Sequence, residues 1–144
     1  MPDTDDLLEE WLRAEIERSP VRGTQLGLDG YDDRLGDFSA AAFEEQIAAD
    51  RNWAGRLDRL EFHQLTPDQR IDVTLVLSEL AGRAVMADWQ AWRRDPSLYL
   101  GPCLGGIFNL YLNRARPEPE LAAAAIARLH QVPSVVAAAR ANLD

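Results

Sequence analysis

Residues 23–39 read GTQLGLDGYDDRLGDFS, a stretch dense in glycine and aspartate set between two amphipathic helical patterns. Such a stretch interrupts any continuous helix, because glycine takes positive φ without strain and aspartate hydrogen-bonds its own backbone in turns. It does not have the composition of a linker. Leu26, Leu28, Tyr31, Leu35 and Phe38 recur through it, and they are expected to pin its turns onto a core. The chain is therefore expected to fold as helices around one ordered Gly/Asp-rich loop. Loops held by a rigid scaffold often carry function, so this segment is the first place to look for a site.

At 144 residues and 47% hydrophobic, the chain is long enough to bury a core of its own, and residues 1–144 are expected to form a single helical domain. The net charge of −9 repels phosphate backbones. All 15 basic residues are arginine and they are scattered along the chain, so nucleic acid is not an expected partner. No window approaches the unbroken apolar length of a membrane span, and the start, MPDTDDLLEEW, lacks the basic and apolar regions of a signal peptide. The expectation is a cytoplasmic chain with no membrane partner. A single cysteine, Cys103, rules out an internal disulfide and a zinc knuckle built on cysteine pairs.

The periodicity predicts an all-α fold, a bundle of about five to six helices with a long central one. Asp3 or Thr4 caps a first helix running to about Arg18, with Leu8, Trp11, Leu12 and Ile16 on one face, and Ser19-Pro20 ends it. Ser39 caps a second, carrying Phe43, Ile47, Ala54, Leu57 and Leu60, with Asp50 the odd residue on that apolar stripe. Thr66-Pro67-Asp68-Gln69 reads as N-cap, proline at the first helical position and the reciprocal glutamine of a capping box. The helix it opens is predicted to reach about Arg94 as the central helix. Its two stripes, one through Ile71, Leu75, Ser78, Gly82, Val85, Trp89 and Trp92 and one through Leu77, Leu80, Ala84, Ala87 and Ala91, predict cover on more than one side. Gly101, Pro102, Gly105 and Gly106 predict a turn followed by a short helix through Tyr111. Glu118 to His130 and Ser134 to Leu143 read as two short helices, or one bent at Pro133. The last residues, SVVAAARANLD, keep their helical pattern without a glycine cap, so the chain is expected to be the N-terminal portion of a larger protein.

Four segments in order carry a resemblance: LGLDGYDDRLGDFS, TPDQRIDVTLVLSEL, WRRDPSLYL and ARLHQVPSVVAAARANL. Together they span nearly the whole chain, which resembles the N-terminal part of the bacterial family called domain of unknown function 885. The family in turn resembles helical zinc metallopeptidases whose H-E-x-x-H metal helix lies far downstream of this region. That motif sets two histidines one turn apart on the same face, with a glutamate to activate a zinc-bound water. This chain has only His63 and His130, neither followed by a second histidine four residues later. The resemblance implies a fold and a parent activity, with zinc belonging to the full-length parent, and it assigns no catalytic, metal or cofactor residue here.

Taken singly, the candidates have ordinary explanations. His63 lies between helices, where a histidine is usually solvated or caps a turn, and His130 is placed to meet the last carbonyls of its helix. Cys103, among Leu104, Ile107 and Phe108, reads as a buried inert thiol. Asp29, Asp32, Asp33 and Asp37 do not follow the spacing of a calcium loop and are better explained as turn formers. Arg70 and Asp72 are a candidate salt bridge to the loop, with an exposed Asp72 as the equal alternative. Tyr31, Arg34 and Tyr99 are the residues expected to face a substrate cleft, since they place aromatic and cationic groups at loop positions. The leading expectation is a non-catalytic N-terminal helical domain of a metallopeptidase-like protein, shaping the fold and substrate access. Its partner is then the remainder of the parent chain. The alternative is a free-standing helical module that self-associates or binds a separate chain; a small enzyme built on the aspartate loop is the least favoured reading, for want of a second group to complete it.

Overall fold

The computed structural model describes residues 4–144, so the cap expected at Asp3 lies outside the described residues. The fold is all-α, with no strand among the described residues. Six α-helices follow in order: α1 (Thr4–Arg18), α2 (Pro20–Gln25), α3 (Ala40–Leu57), α4 (Pro67–Asp88), α5 (Ser97–Asn113) and α6 (Glu118–Asn142). The chain divides into two compact units. Unit 1 takes α1 up to Ala14 together with Ala41–Ala91, and unit 2 takes Glu15–Ala40 and Trp92–Asp144.

Unit 1 is built on large apolar side chains. Leu7 and Trp11 from α1, Trp53 and Leu57 from α3, and Val73, Val76 and Leu80 from α4 form one buried cluster with Leu65. The start of α4 is as the sequence predicts. Thr66 Oγ1 accepts from the Gln69 amide at 3.2 Å, and the Thr66 amide donates to Gln69 Oε1 at 3.0 Å, satisfying two backbone donors reciprocally. Arg70 donates to the carbonyls of Leu65 and His63, bracing the turn before α4. Asp50 finds the partner that its place on an apolar stripe demands: its buried carboxylate accepts from Arg83 at 3.3 Å, and Arg83 also donates to Glu79 at 2.6 Å.

Two expectations for α4 are corrected. The helix ends at Asp88, because Gln90 takes φ +56° and the amides of Trp89 and Gln90 close back onto Val85 and Ala87; Trp92 is therefore not on it. Its length is roughly 33 Å at 1.5 Å per residue, and the 25-residue α6 is longer. Second, of its two stripes the one through Ile71, Leu75, Val85 and Trp89 is exposed, while the buried positions are Val73, Val76 and Leu80. Period alone marks apolar faces without telling which of them meets a neighbour.

Unit 2 is built on close backbone approach. A Cβ at Gly106 would lie 2.9 Å from Leu35 Cδ2 and 3.2 Å from Val21 Cγ2, so only glycine lets α5 approach α2 and the loop. Leu110, Leu121, Ala124 and Ala125 fill the α5–α6 contact, with Ile107 against them. This packing overrides the expected turn at residues 101–106: α5 is continuous, and Pro102, its sixth residue, removes only one amide, that to the Leu98 carbonyl. Likewise α6 runs unbroken through Pro133, which sits at an exposed position. The final residues are tied down, with the Asp144 amide on the Arg93 carbonyl at 3.0 Å and Arg93 Nη2 on Asp144 Oδ1 at 2.8 Å.

Candidate functional site

The segment that opened the sequence reading begins inside a helix. Pro20 at the first helical position starts α2, and Gly23 belongs to it. Gly23 is there for space, since a Cβ would lie 2.7 Å from Tyr31 Cγ. Positive φ is needed only at Gly27, Gly30 and Gly36. Leu35 is buried and Tyr31 and Phe38 are half-buried, but Leu26 and Leu28 are exposed, so apolar pinning accounts for only part of the loop's order.

The remainder comes from α6. Arg128 is 0% exposed and places its guanidinium among loop oxygens. Nε donates to the Arg34 carbonyl at 3.0 Å, Nη2 donates to the Tyr31 carbonyl at 3.0 Å and to Thr24 Oγ1 at 2.6 Å, and Nη1 donates to the Gly106 carbonyl. A planar fork of five N–H donors suits four acceptors spread over three segments, which an ammonium group could not match. Burial pushes the pKa of this arginine down, and the nearby charges of Asp32 and Asp33 oppose that shift. One turn further along α6, Gln131 accepts from the Leu35 amide at 3.0 Å and donates to the Asp33 carbonyl at 2.6 Å. At its end Asn142 donates to the Phe38 carbonyl at 2.9 Å and to Tyr99 Oη at 3.1 Å. Three side chains of one helix thus hold the loop from Tyr31 to Phe38.

The loop aspartates have distinct structural partners. Asp37 Oδ1 accepts from the Ser39 amide at 2.8 Å, the turn-forming bond expected of it. Asp32 and Asp29 instead pair with Arg116, Asp32 at 3.3 Å from Nε.

Of the three expected cleft residues, Tyr31 and Arg34 are brought together and Tyr99 is not. Tyr31 Oη donates to Glu17 at 2.7 Å, Arg34 reaches the same carboxylate at 3.3 Å, and the Arg34 guanidinium lies 5.1 Å from the Tyr31 ring centroid. The Glu17 carboxyl is held below the usual range, chiefly by the Tyr31 hydroxyl and further by Arg34. Tyr99 is 1% exposed, donates to the Trp92 carbonyl and packs 6.1 Å from the Phe38 ring; burial raises the pKa of its hydroxyl.

Each unit also has a cleft. In unit 1 one of about 350 Å³ runs between α3 and α4, floored by Ala54, Leu77, Leu80 and Ala84 and walled by the Asp50–Arg83 pair. In unit 2 one of about 310 Å³ lies between Gly36–Ser39 and α6 at Gln131, Ser134 and Val135. None of Tyr31, Arg34 and Tyr99 lines either cleft.

The resemblance places zinc in the full-length parent and assigns no ligand to this chain. Among the described residues no three His, Cys, Asp or Glu side chains lie together as metal ligands. His63 is exposed, 3.8 Å from Glu61, and His130 is exposed on α6. The thiol of Cys103 is buried, and burial raises its pKa, keeping it protonated and unreactive.

A sequence profile described as "Bacterial protein of unknown function (DUF885)" matches residues 20–144. The match takes in α2, the loop and the whole of α6 with its three loop-holding side chains. No curated protein and no solved structure matches the chain. The chain belongs to the DUF885 family of bacterial proteins.

Proposed function

We propose that this chain is a non-catalytic helical domain of a metallopeptidase-like protein of this family, shaping the fold and the path by which substrate reaches a catalytic centre built elsewhere. One observation carries the reading: the polar side chains that α6 sends to the loop, Arg128, Gln131 and Asn142, donate to carbonyls of the chain's own backbone. A catalytic site aims its polar groups at a space where a reacting atom fits; these side chains are spread along α6, are aimed at the loop and hold it. Tyr31 and Arg34, half-buried on the loop beside Glu17, remain the proposed contacts to substrate. A cytoplasmic location is part of the proposal, and the net charge of −9 disfavours nucleic-acid partners. By length and composition α6 is apolar enough to cross a membrane, but Arg128 on it is fully buried and bonded inside unit 2, which favours a helix packed on one side within that unit.

The test is zinc content by mass spectrometry together with peptidase assays on the purified protein. The reading predicts no stoichiometric zinc and no peptide cleavage. Hydrolysis that a chelator abolishes and zinc restores would overturn it. A second reading, a free-standing interaction module, is favoured by the exposed apolar stripes on α4 and α5, since extended apolar surface tends to become an interface.

A further inference from the structure

α5 has no acidic or basic residue in any of its 17 positions, SLYLGPCLGGIFNLYLN, within a chain of net charge −9. Its inner side is occupied by Tyr99, Cys103, Gly106 and Leu110, all buried. Its outer side is one apolar stripe. Leu100, Leu104, Phe108 and Leu112 follow at four-residue steps and are 52%, 71%, 64% and 63% exposed, with Tyr111 beside Phe108 at 40%. Residues so spaced are neighbours along one helix face.

We propose that this stripe is the contact through which two copies of the chain pair, α5 against α5 about a two-fold axis. Charge selects a second copy as the occupant. In a two-fold contact the same patch meets itself, so a charged face of an acidic chain repels its own copy, and α5 presents a face with no charge to repel. The exposed stripe of α4 differs, since the exposed Asp68, Asp72 and Asp88 lie on the same helix.

Area agrees. At about 200 Å² for each large apolar side chain, these exposures leave roughly 600 Å² per copy, so complete burial in two copies would remove at most about 1,200 Å² from water, the range of weak, reversible interfaces. Gly101 adds a geometric reason. It is exposed and helical, and a Cβ there would meet nothing within 4 Å, so neither a turn nor internal packing requires glycine at that position. A bare backbone there lets a facing helix come close. The proposal goes beyond the domain reading and does not depend on it.

The experiment is sedimentation velocity on the purified protein over a wide concentration range. A reversible monomer–dimer equilibrium is expected. Leu104→Glu should raise the dimer Kd by about tenfold or more, because it sets two carboxylates in the contact, while the helical circular dichroism stays unchanged. Leu75→Glu, on the exposed stripe of α4, should leave the Kd as it was. Leu104→Cys should give a disulfide-linked dimer on oxidation, as a residue near a two-fold axis meets its own copy. A monomer at every concentration would overturn the proposal, as would a dimer indifferent to Leu104→Glu or an aggregate that both glutamate variants disperse equally. None of these outcomes bears on zinc content, so this proposal and the domain reading fail separately.

Discussion

In unit 1 the helices meet through Trp11, Trp53, Leu57, Val73 and Leu80, whereas in unit 2 the loop backbone is held by the side-chain nitrogens of Arg128, Gln131 and Asn142. An apolar cluster is indifferent to direction and tolerates substitutions that conserve volume. A buried guanidinium fixed to four oxygens is not: each acceptor sits where one N–H points, and an acceptor left without a donor costs its full desolvation. The loop of unit 2 is therefore the segment whose conformation depends most on single residues, and unit 1 the more forgiving scaffold.

The largest expected effect separates the two directly. Arg128→Met should cost about 3 kcal/mol or more, since it leaves four neutral oxygens without their donor at about 1–3 kcal/mol for each that stays buried, read by chemical denaturation. Arg128→Lys should recover less than half of that loss, because an ammonium cannot reach acceptors arranged for a fork. Leu57→Met, at an equally buried position of unit 1, should cost less than about 1.5 kcal/mol. Equal losses from Arg128→Lys and Leu57→Met would erase the distinction.

The glycines of α5 sharpen it next. Gly106→Ala should destabilise by about 1–3 kcal/mol as its Cβ forces Leu35 and Val21 apart. Gly101→Ala, with open space around its Cβ, should stabilise the helix by up to about 1 kcal/mol. If α5 pairs as proposed, Gly101→Ala should also weaken dimerisation, so one substitution moves thermal midpoint and Kd in opposite senses. In unit 1, Thr66→Ala should cost about 1 kcal/mol through the lost capping box.

The smallest effect concerns acid. The Glu17 carboxyl is held below its usual value by the Tyr31 hydroxyl and by Arg34, so its contribution is present above the unfolded carboxylate pKa and lost as pH falls through the lower folded value. Tyr31→Phe should therefore lower stability slightly at neutral pH, leave it unchanged well below the carboxylate range, and so flatten the acid side of the stability profile. A change confined to alkaline pH would contradict that assignment.

What could be read from the chain follows the same division. The capping box at Thr66 was legible because all its parts lie within four residues, and Asp50 was legible as an oddity because a carboxylate on an apolar stripe needs a partner. Arg83, which answers it, is 33 residues away and carries no local mark. α5 was misread because glycine and proline speak locally for a turn, while the demand for a bare Cα at Gly106 comes from Leu35 and Val21 on other segments. Arg128 left no signal of its own. Its partners in α2 and the loop lie 94 to 104 positions away, and three of its four acceptors are backbone carbonyls, which every residue possesses. The only sequence feature that pointed to it was the ordered set of family segments, the last of which contains it.

The central claim is that α6 orders the Gly/Asp-rich loop through Arg128. Native-state hydrogen exchange tests it most directly, followed at the amides of Leu28, Arg34 and Leu35, which bond to Gly23, Tyr31 and Gln131, and at amides of α4 as the internal reference. In Arg128→Met the account predicts that the three loop amides lose most of their protection while those of α4 exchange as in the parent protein. Loop amides that stay as protected as before, or loop and α4 amides that lose protection together, would contradict it.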